Sequence, residues 1–207
     1  GFVYVQFNEP AASSTSVLIY LLLDDAELSV SAAKALYMGI AHDTGVFQYS
    51  CTSRRTMEIA GKLIDKGFDF NELLDQTFFQ KTYLQNQILG RALLESMLLM
   101  NGKCIISALR KKDLDFYGVT SEDLDGIVSQ LRNTTGVEVA IFLYETAIQE
   151  FKVSLRSNGR VDVSRVASYF GGGGHVRAAG CTMQGSVYDV LNNLTLHIEK
   201  QLKGADL

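Results

Sequence analysis

Apolar residues recur at helical spacing through the first half of the chain. Hydroxyl residues at 13–16 are N-cap candidates for a helix that carries apolar positions between 17 and 22. A second helix is predicted over 31–38, and a third starts after Thr52 or Ser53 and ends near Gly67. The run 2–7 is strand-like in composition, so the first half is predicted to be mainly helical after one strand.

From Lys103 onward the pattern changes to short apolar runs typical of strands. The segment 137–143 is almost wholly apolar, which suits a central strand of a sheet. Strands are predicted over 104–109, 137–144, 151–156 and 181–183, and helices around 122–132, 161–170 and 188–202. Residues 76–102, which contain no proline and little glycine, are predicted to be a helical connector. The pattern predicts an α/β protein with two domains.

Composition and charge narrow the class of protein. The 207 residues are 47% hydrophobic and 20% charged, as in an ordinary globular protein, and the formal net charge of -4 provides no general attraction for long nucleic acids. Cys51, Cys104 and Cys181 show no CxxC spacing, which favours a reducing compartment. We expect a soluble cytoplasmic protein without a membrane partner, in which Cys51 is a small buried residue.

The sharpest local feature is the glycine run Gly171–His175, followed by Arg177. Four consecutive glycines lose much backbone entropy on folding, so they need a reason, and close approach of the backbone to an anion is one. His175 and Arg177 supply donors suited to phosphate oxygens. The alternative is a flexible linker with an exposed histidine, although linkers usually mix glycine with serine.

Two further segments carry weaker signals. Arg156 and Ser157 end a predicted strand, where they either complete an anion site or are simply solvated. Asp43 follows His42 at a tight turn, where its carboxylate suits Mg²⁺ or Mn²⁺ binding or general acid–base chemistry. The sequence Asp-Thr-Gly is also plain turn chemistry, and nothing near it completes a metal site.

Five segments together resemble the DHH phosphoesterases, specifically the nanoRNase and pAp-phosphatase branch that also includes cyclic-di-AMP phosphodiesterases. The resemblance covers nearly the whole chain. It rests on the segments Ala12–Thr15, His42–Phe47, Thr56–Ala60, Val153–Ser157 and Gly171–Gly180.

The resemblance implies a partial DHH domain plus a smaller C-terminal α/β substrate-binding domain, the DHH-associated domain. The expected boundaries are 1–75 for the C-terminal part of the metal-binding domain, 76–102 for the helical connector and 103–207 for the substrate-binding domain. The resemblance also implies two Mn²⁺ ions, with Mg²⁺ as the alternative metal. Asp43 is the implied catalytic metal ligand, and the implied substrate-binding residues are Arg156, Ser157, Gly172, Gly173, Gly174, His175 and Arg177.

The chain departs from that family at its start, where it has neither Asp-His-His nor Asp-x-Asp. Three of the four metal motifs are therefore expected to lie outside this chain, which alone should not hydrolyse phosphoesters. The implied activity of the intact protein is hydrolysis of short oligoribonucleotides and 3'-phosphoadenosine 5'-phosphate (pAp). Two alternatives stay open, a cyclic-di-AMP or linear dinucleotide phosphodiesterase and a non-catalytic nucleic-acid binding module. The apolar pairs between 78 and 100 fit either a homodimer interface or a contact between domains.

Overall fold

The structure is a computed structural model that describes residues 7–204. The described residues form two compact units that divide between Gln80 and Lys81. Most of the predicted strand over 2–7 lies outside the described residues. No helix among residues 7–204 is long and apolar enough to cross a bilayer.

The first unit is helical. Its α-helices are α1 (Thr15–Leu22), α2 (Val30–Asp43), α3 (Arg54–Ile64) and α4 (Phe70–Leu74), with a 3₁₀ turn at Asp25–Glu27 and a π-helical turn at Asp75–Phe79. Helices α1 and α2 pack closely at Gly39, where an added Cβ would lie only 2.2 Å from Ser16 Oγ. The core of this unit surrounds the buried Tyr37, whose ring makes an edge contact with Phe68 at 5.5 Å.

The second unit is a mixed α/β domain. In chain order its elements are α5 (Tyr83–Leu94), β1 (Met97–Leu99), β2 (Cys104–Leu109), α6 (Lys111–Tyr117), α7 (Ile127–Arg132), β3 (Val139–Ala147), β4 (Glu150–Ser157), α8 (Val163–Ser168), β5 (Gly173–His175), β6 (Ala178–Gln184) and α9 (Val187–Leu202). The segment 76–102 thus contains most of the π-helical turn, then α5 and the short strand β1. Strand β1 pairs with β2, so this part of the predicted connector is built into the second unit.

The six strands form one sheet in the order β1-β2-β3-β4-β6-β5. Among the strands that residues 7–204 form, only β2 and β3 are parallel neighbours, and the other pairs are antiparallel. One face packs against α8 and α9, and the other face of β2 and β3 packs against α5, α6 and α7. The second face is therefore covered over β2 and β3, while residues that share it on β4, β6 and β5 are half-buried or exposed.

Candidate substrate-binding site

A row of three side chains crosses strands β4, β6 and β5. Arg156 is paired with Ala178, and Ala178 is paired with His175. Residues directly opposite each other in antiparallel strands project to the same face, so these side chains share one side of the sheet. Neighbouring strands lie about 4.8 Å apart, which places the backbones of Arg156 and His175 about 10 Å apart. Ala178 between them leaves a low floor flanked by two hydrogen-bond donors.

Alternation along β4 decides which side chains reach this face. Val153 and Leu155 are buried in the core under α8 and α9, so Arg156 points the other way and is half-buried. The Arg156 guanidinium donates through Nη1 to the carbonyl of Leu155 at 3.0 Å. His175 is exposed. The structure thus places Arg156 and His175 on one accessible face of the sheet, and their contact with substrate stays a prediction.

Ser157 does not join that row. Its side chain points to the core face and is buried, with 1% of its surface exposed. Its hydroxyl donates to Glu138 Oε1 at 3.4 Å and accepts from the N–H of Gly159 at 3.0 Å. These bonds fasten the end of β4 to the start of β3, so the described geometry gives Ser157 a structural role, and its contact with substrate stays a prediction.

Arg177 lies in the two-residue turn between β5 and β6. Its carbonyl accepts from the N–H of Ser157 at 3.0 Å, which ties the turn to the end of β4. Its guanidinium packs over Gly159, where a Cβ would lie 3.3 Å from Arg177 Nη2. Arg177 therefore sits at the end of the sheet nearest the row of Arg156 and His175.

The glycine run differs from the predicted anion-binding loop. The N–H groups of Gly171 and Gly172 donate to Ser168 O and Ala167 O at 3.2 and 3.0 Å, and so close the C-terminus of α8. Gly173 and Gly174 then begin the edge strand β5. The N–H groups of Gly171 and Gly172 therefore serve the helix end rather than an anion, and contact of Gly172, Gly173 and Gly174 with substrate stays a prediction.

Asp43 is the predicted metal ligand in the first unit, and it forms the last residue of α2. Its side chain is exposed, and the Ser14 hydroxyl donates to Asp43 Oδ2 at 2.6 Å. Ser14 is also the N-cap of α1, accepting from the N–H of Ser16 at 3.1 Å. The sequence pointed to Ser14 only as a cap candidate, and its contact with Asp43 across 29 positions was missed.

The turn after Asp43 is conformationally unusual. Gly45, Val46 and Phe47 have φ values of 57°, 52° and 66°, a left-handed conformation that β-branched and bulky residues rarely adopt. The buried Thr44 holds the turn, donating through Oγ1 to Ile40 O at 2.7 Å and accepting from the N–H of Phe47 at 3.0 Å. Backbone strain of this kind clusters at functional sites, so the strained turn supports the hypothesis that the neighbouring Asp43 is functional.

The described residues do not complete a metal site around Asp43. Residues 7–204 contain no group of three or more His, Cys, Asp or Glu side chains arranged to hold an ion. His42 is exposed, and its ring makes an edge contact with Phe78 at 5.5 Å. Cys51 is exposed, so the expectation that it is buried is wrong, because it lies in the surface turn before α3. Asp43 offers one carboxylate, which is insufficient by itself.

Comparison with known proteins identifies the family. The DHHA1 domain matches residues 101–204, which include the whole sheet except β1. The chain is 31% identical over 180 residues to the bifunctional oligoribonuclease and PAP phosphatase NrnA of Bacillus subtilis, covering 84% of this chain and 56% of that protein. The chain belongs to the DHH phosphoesterase family.

A second curated relative and a solved structure also resemble this DHH-family chain. The protein of the same name from Thermus thermophilus is 29% identical over 187 residues, covering 89% of this chain and 55% of that protein. A solved exopolyphosphatase-related protein from Bacteroides fragilis superimposes with a TM-score of 0.89 at 25% identity, covering 96% of this chain and 60% of that one. The chain thus spans a little over half the length of the curated relatives it matches.

Proposed function

We propose that this chain is part of a phosphoesterase that hydrolyses short oligoribonucleotides and pAp. The observation that carries the proposal is the row in which Arg156 and His175 flank Ala178 on an accessible face of the sheet. The names of the Bacillus and Thermus relatives supply the same substrate classes. A site formed by one arginine and one histidine suits a short substrate better than a long one, given the net charge of -4.

The residues of the row have distinct proposed roles. Arg156 presents a planar fork to two phosphate oxygens, and His175 donates a hydrogen bond to the same nucleotide from the other side. The small Ala178 and the glycines of β5 let the sugar-phosphate lie close to the sheet. Arg177, at the turn, adds positive charge without needing to contact the reacting phosphate.

The proposed cofactor is a pair of Mn²⁺ ions, with Mg²⁺ as the alternative. Asp43 would supply one ligand, and the others would come from outside the described residues, since these do not complete a site. When bound, such ions activate a water and stabilise charge on the phosphoryl group. Within this chain, the Ser14 hydroxyl donates to Asp43 Oδ2 and so orients the carboxylate. We also propose a cytoplasmic location.

A homodimer is a further part of the proposal. Leu94, at the end of α5, is 88% exposed, and Met97 and Leu98 in the edge strand β1 are 55% and 58% exposed. Exposed apolar side chains beside an unpaired strand edge favour association. Sedimentation of the full-length protein should give the mass of two copies, and Leu94→Asp should shift it toward one copy. A wild-type protein that sediments as one copy at all concentrations contradicts the dimer.

The function is tested with the full-length protein, Mn²⁺ and three substrates, namely pAp, a short RNA and cyclic-di-AMP. We expect pAp and RNA to be cleaved, and Arg156→Ala or His175→Ala to lower kcat/KM about 10- to 100-fold because each removes a charge-assisted hydrogen bond. Mn²⁺ binding, measured by electron paramagnetic resonance, should survive both substitutions. Lys200→Ala on α9, which covers the opposite face, is the matched control.

Other results of this assay would favour one of the two alternative functions. A strong preference for cyclic-di-AMP would replace the proposal with the dinucleotide phosphodiesterase. Binding of RNA without cleavage of any substrate would indicate a non-catalytic binding module. Asp43→Asn should abolish Mn²⁺-dependent cleavage, and full activity in that variant would refute its role as a metal ligand.

A further inference from the structure

The face that carries Arg156 and His175 continues along strands β4 and β6. Ser154 is paired with Gly180, which is paired with Gly173, and Lys152 is paired with Thr182. All of these residues share one face of the sheet by the alternation of the strands. Strand β5 begins only at Gly173, so β6 has no strand neighbour beside Thr182.

A groove lies beside the part of β6 that has no β5 neighbour. It has a volume of about 390 Å³, and its lining includes Lys152, Ser154, Gly180 and Thr182 together with the first two glycines of the run. The groove therefore adjoins the glycine segment and the Arg156 row, and it has two hydroxyl groups and one ammonium group on its walls. These are donors suited to a phosphate and the hydroxyls of a ribose.

Lys152 is exposed and is the cation of this groove. The nearest acidic residue along the same face of β4 is Glu150, and its carboxylate accepts from Thr146 Oγ1 at 2.6 Å and from Gln184 Nε2 at 2.8 Å. Within the described part of the chain Lys152 makes no ion pair. The charge of Lys152 is therefore directed to the groove and to solvent.

Lys152 in this groove lies well apart from Arg156 along β4. Arg156 and Lys152 are four residues apart on one strand, a distance of about 13 Å. Stacked nucleotides advance by only about 3.4 Å along a strand, so the two cations lie far enough apart to serve different nucleotides.

We propose that Lys152, Ser154 and Thr182 form a second subsite that binds a phosphate of a nucleotide beyond the terminal one. The proposal rests on the function proposed above and specifies how an oligonucleotide is distinguished from pAp. The Arg156 row is common to both ligands, whereas the second subsite is filled only by a chain of several nucleotides. Lys152 is thus a specificity-determining residue.

The test compares pAp with an RNA pentanucleotide, using the full-length protein with Mn²⁺. In Lys152→Ala, the ratio of kcat/KM for the pentanucleotide to that for pAp should fall about tenfold, chiefly through KM, because one exposed charge-assisted contact is lost. Lys152→Arg should restore most of the ratio, and Thr182→Val should lower it less. The slope of log KM for RNA against log salt should weaken by about 0.7, the value for one phosphate contact on a single strand.

Lys200→Ala removes the same charge from the helix on the opposite face and is the control. The subsite is refuted if Lys152→Ala changes both substrates equally or changes neither, while wild-type cleavage of both still supports the proposed function. It is also refuted if Lys200→Ala produces the same selective loss, because the effect is then one of net charge. Wild-type protein that cleaves neither substrate overturns both proposals.

Discussion

The four glycines before His175 are present for different reasons. Gly171 has φ 71° at the end of α8, which favours glycine. A Cβ on Gly172 would lie 2.2 Å from Gly180 O, and one on Gly174 would lie 2.4 Å from Ala178 O, so both positions need the close approach to β6. A Cβ on Gly173 would meet nothing within 4 Å. Packing thus leaves Gly173 unexplained, and a ligand that approaches the sheet would explain it.

These contacts predict opposite effects for neighbouring substitutions. Gly172→Ala should lower the free energy of unfolding by about 1–3 kcal/mol, because the methyl group overlaps the backbone of β6. Gly173→Ala should raise it by less than about 1 kcal/mol, since alanine restricts the unfolded chain and its methyl group meets nothing in the fold. Urea denaturation of the two variants measures the difference. Equal losses would show that the run is held by something other than the β6 contact.

Ser14 offers a second prediction at the residue scale. If Asp43 is a metal ligand, Ser14→Ala should weaken Mn²⁺ binding by the full-length protein about tenfold, as loss of a hydrogen bond to a ligand commonly does. Ser14 also caps α1, so the control is Ser53→Ala, which removes the cap of α3 without touching Asp43. Titration followed by electron paramagnetic resonance reports the affinity. Equal affinities in the two variants would contradict a positioning role.

Helix α8 joins the end of β4 to the glycine run, and its N-cap is Asp162. Burial acts to raise the pKa of Asp162, but hydrogen bonds from Ser164 and Arg165, with the positive charge of Arg165, outweigh it and lower the pKa. A lowered folded-state pKa means that the carboxylate stabilises the fold above its unfolded pKa of about 3.9. That stability is lost as the pH falls through the lower folded-state pKa.

Substitutions of Asp162 should lower the free energy of unfolding mainly at pH values where the wild-type carboxylate is charged. Asp162→Ala should lower the free energy of unfolding by about 1 kcal/mol at pH 7. Asp162→Asn keeps the acceptor but not the charge, so its deficit against wild type should be present at pH 7 and shrink below about pH 4. Urea denaturation at pH 7 and near pH 3 provides the comparison. A deficit that grows toward low pH would contradict the lowered pKa.

At the scale of elements, the sequence predicted those whose signals are local. Strand β2 occupies the predicted range 104–109, and α9 starts one residue before its predicted range, because apolar periodicity and the cap at Ser186 are both readable. The helix predicted over 122–132 is divided, since Gly126 at φ 85° separates a 3₁₀ turn from α7. Strand β5 was not predicted, because glycine has a low strand propensity and the pairing with β6 is a tertiary contact.

At the candidate site, too, the sequence indicates the residues that have local signals and misses those whose position depends on tertiary contacts. Arg156, His175 and Asp43 were identifiable because charged or titratable residues beside glycines and strand ends form a local pattern. Ser157 was assigned to the site although alternation along β4 buries it, and Ser14 was missed because its partner is 29 residues away. Lys152 carried no signal, since only the register of β4 with β6 places it on the face with Arg156.

At the scale of the whole molecule, each apolar cluster lies within one unit. One cluster lies within residues 17–74, and the two clusters that sandwich the sheet lie within residues 88–202. The second unit therefore contains both of its cores and all six strands of its sheet. We expect a fragment of residues 81–207 to fold by itself, because neither core needs side chains from outside it.

The two cysteines of that fragment report whether it has folded. Burial raises the pKa of Cys104 to about 12 and that of Cys181 to about 11, so at pH 8 neither forms much of the reactive thiolate. The folded fragment should react with a thiol reagent only after denaturation in guanidinium, when both groups are labelled. The whole chain should add one rapidly labelled thiol, at the exposed Cys51. Rapid labelling of Cys104 or Cys181 in the native fragment, but not in the whole chain, would show that the second unit depends on the first for its core.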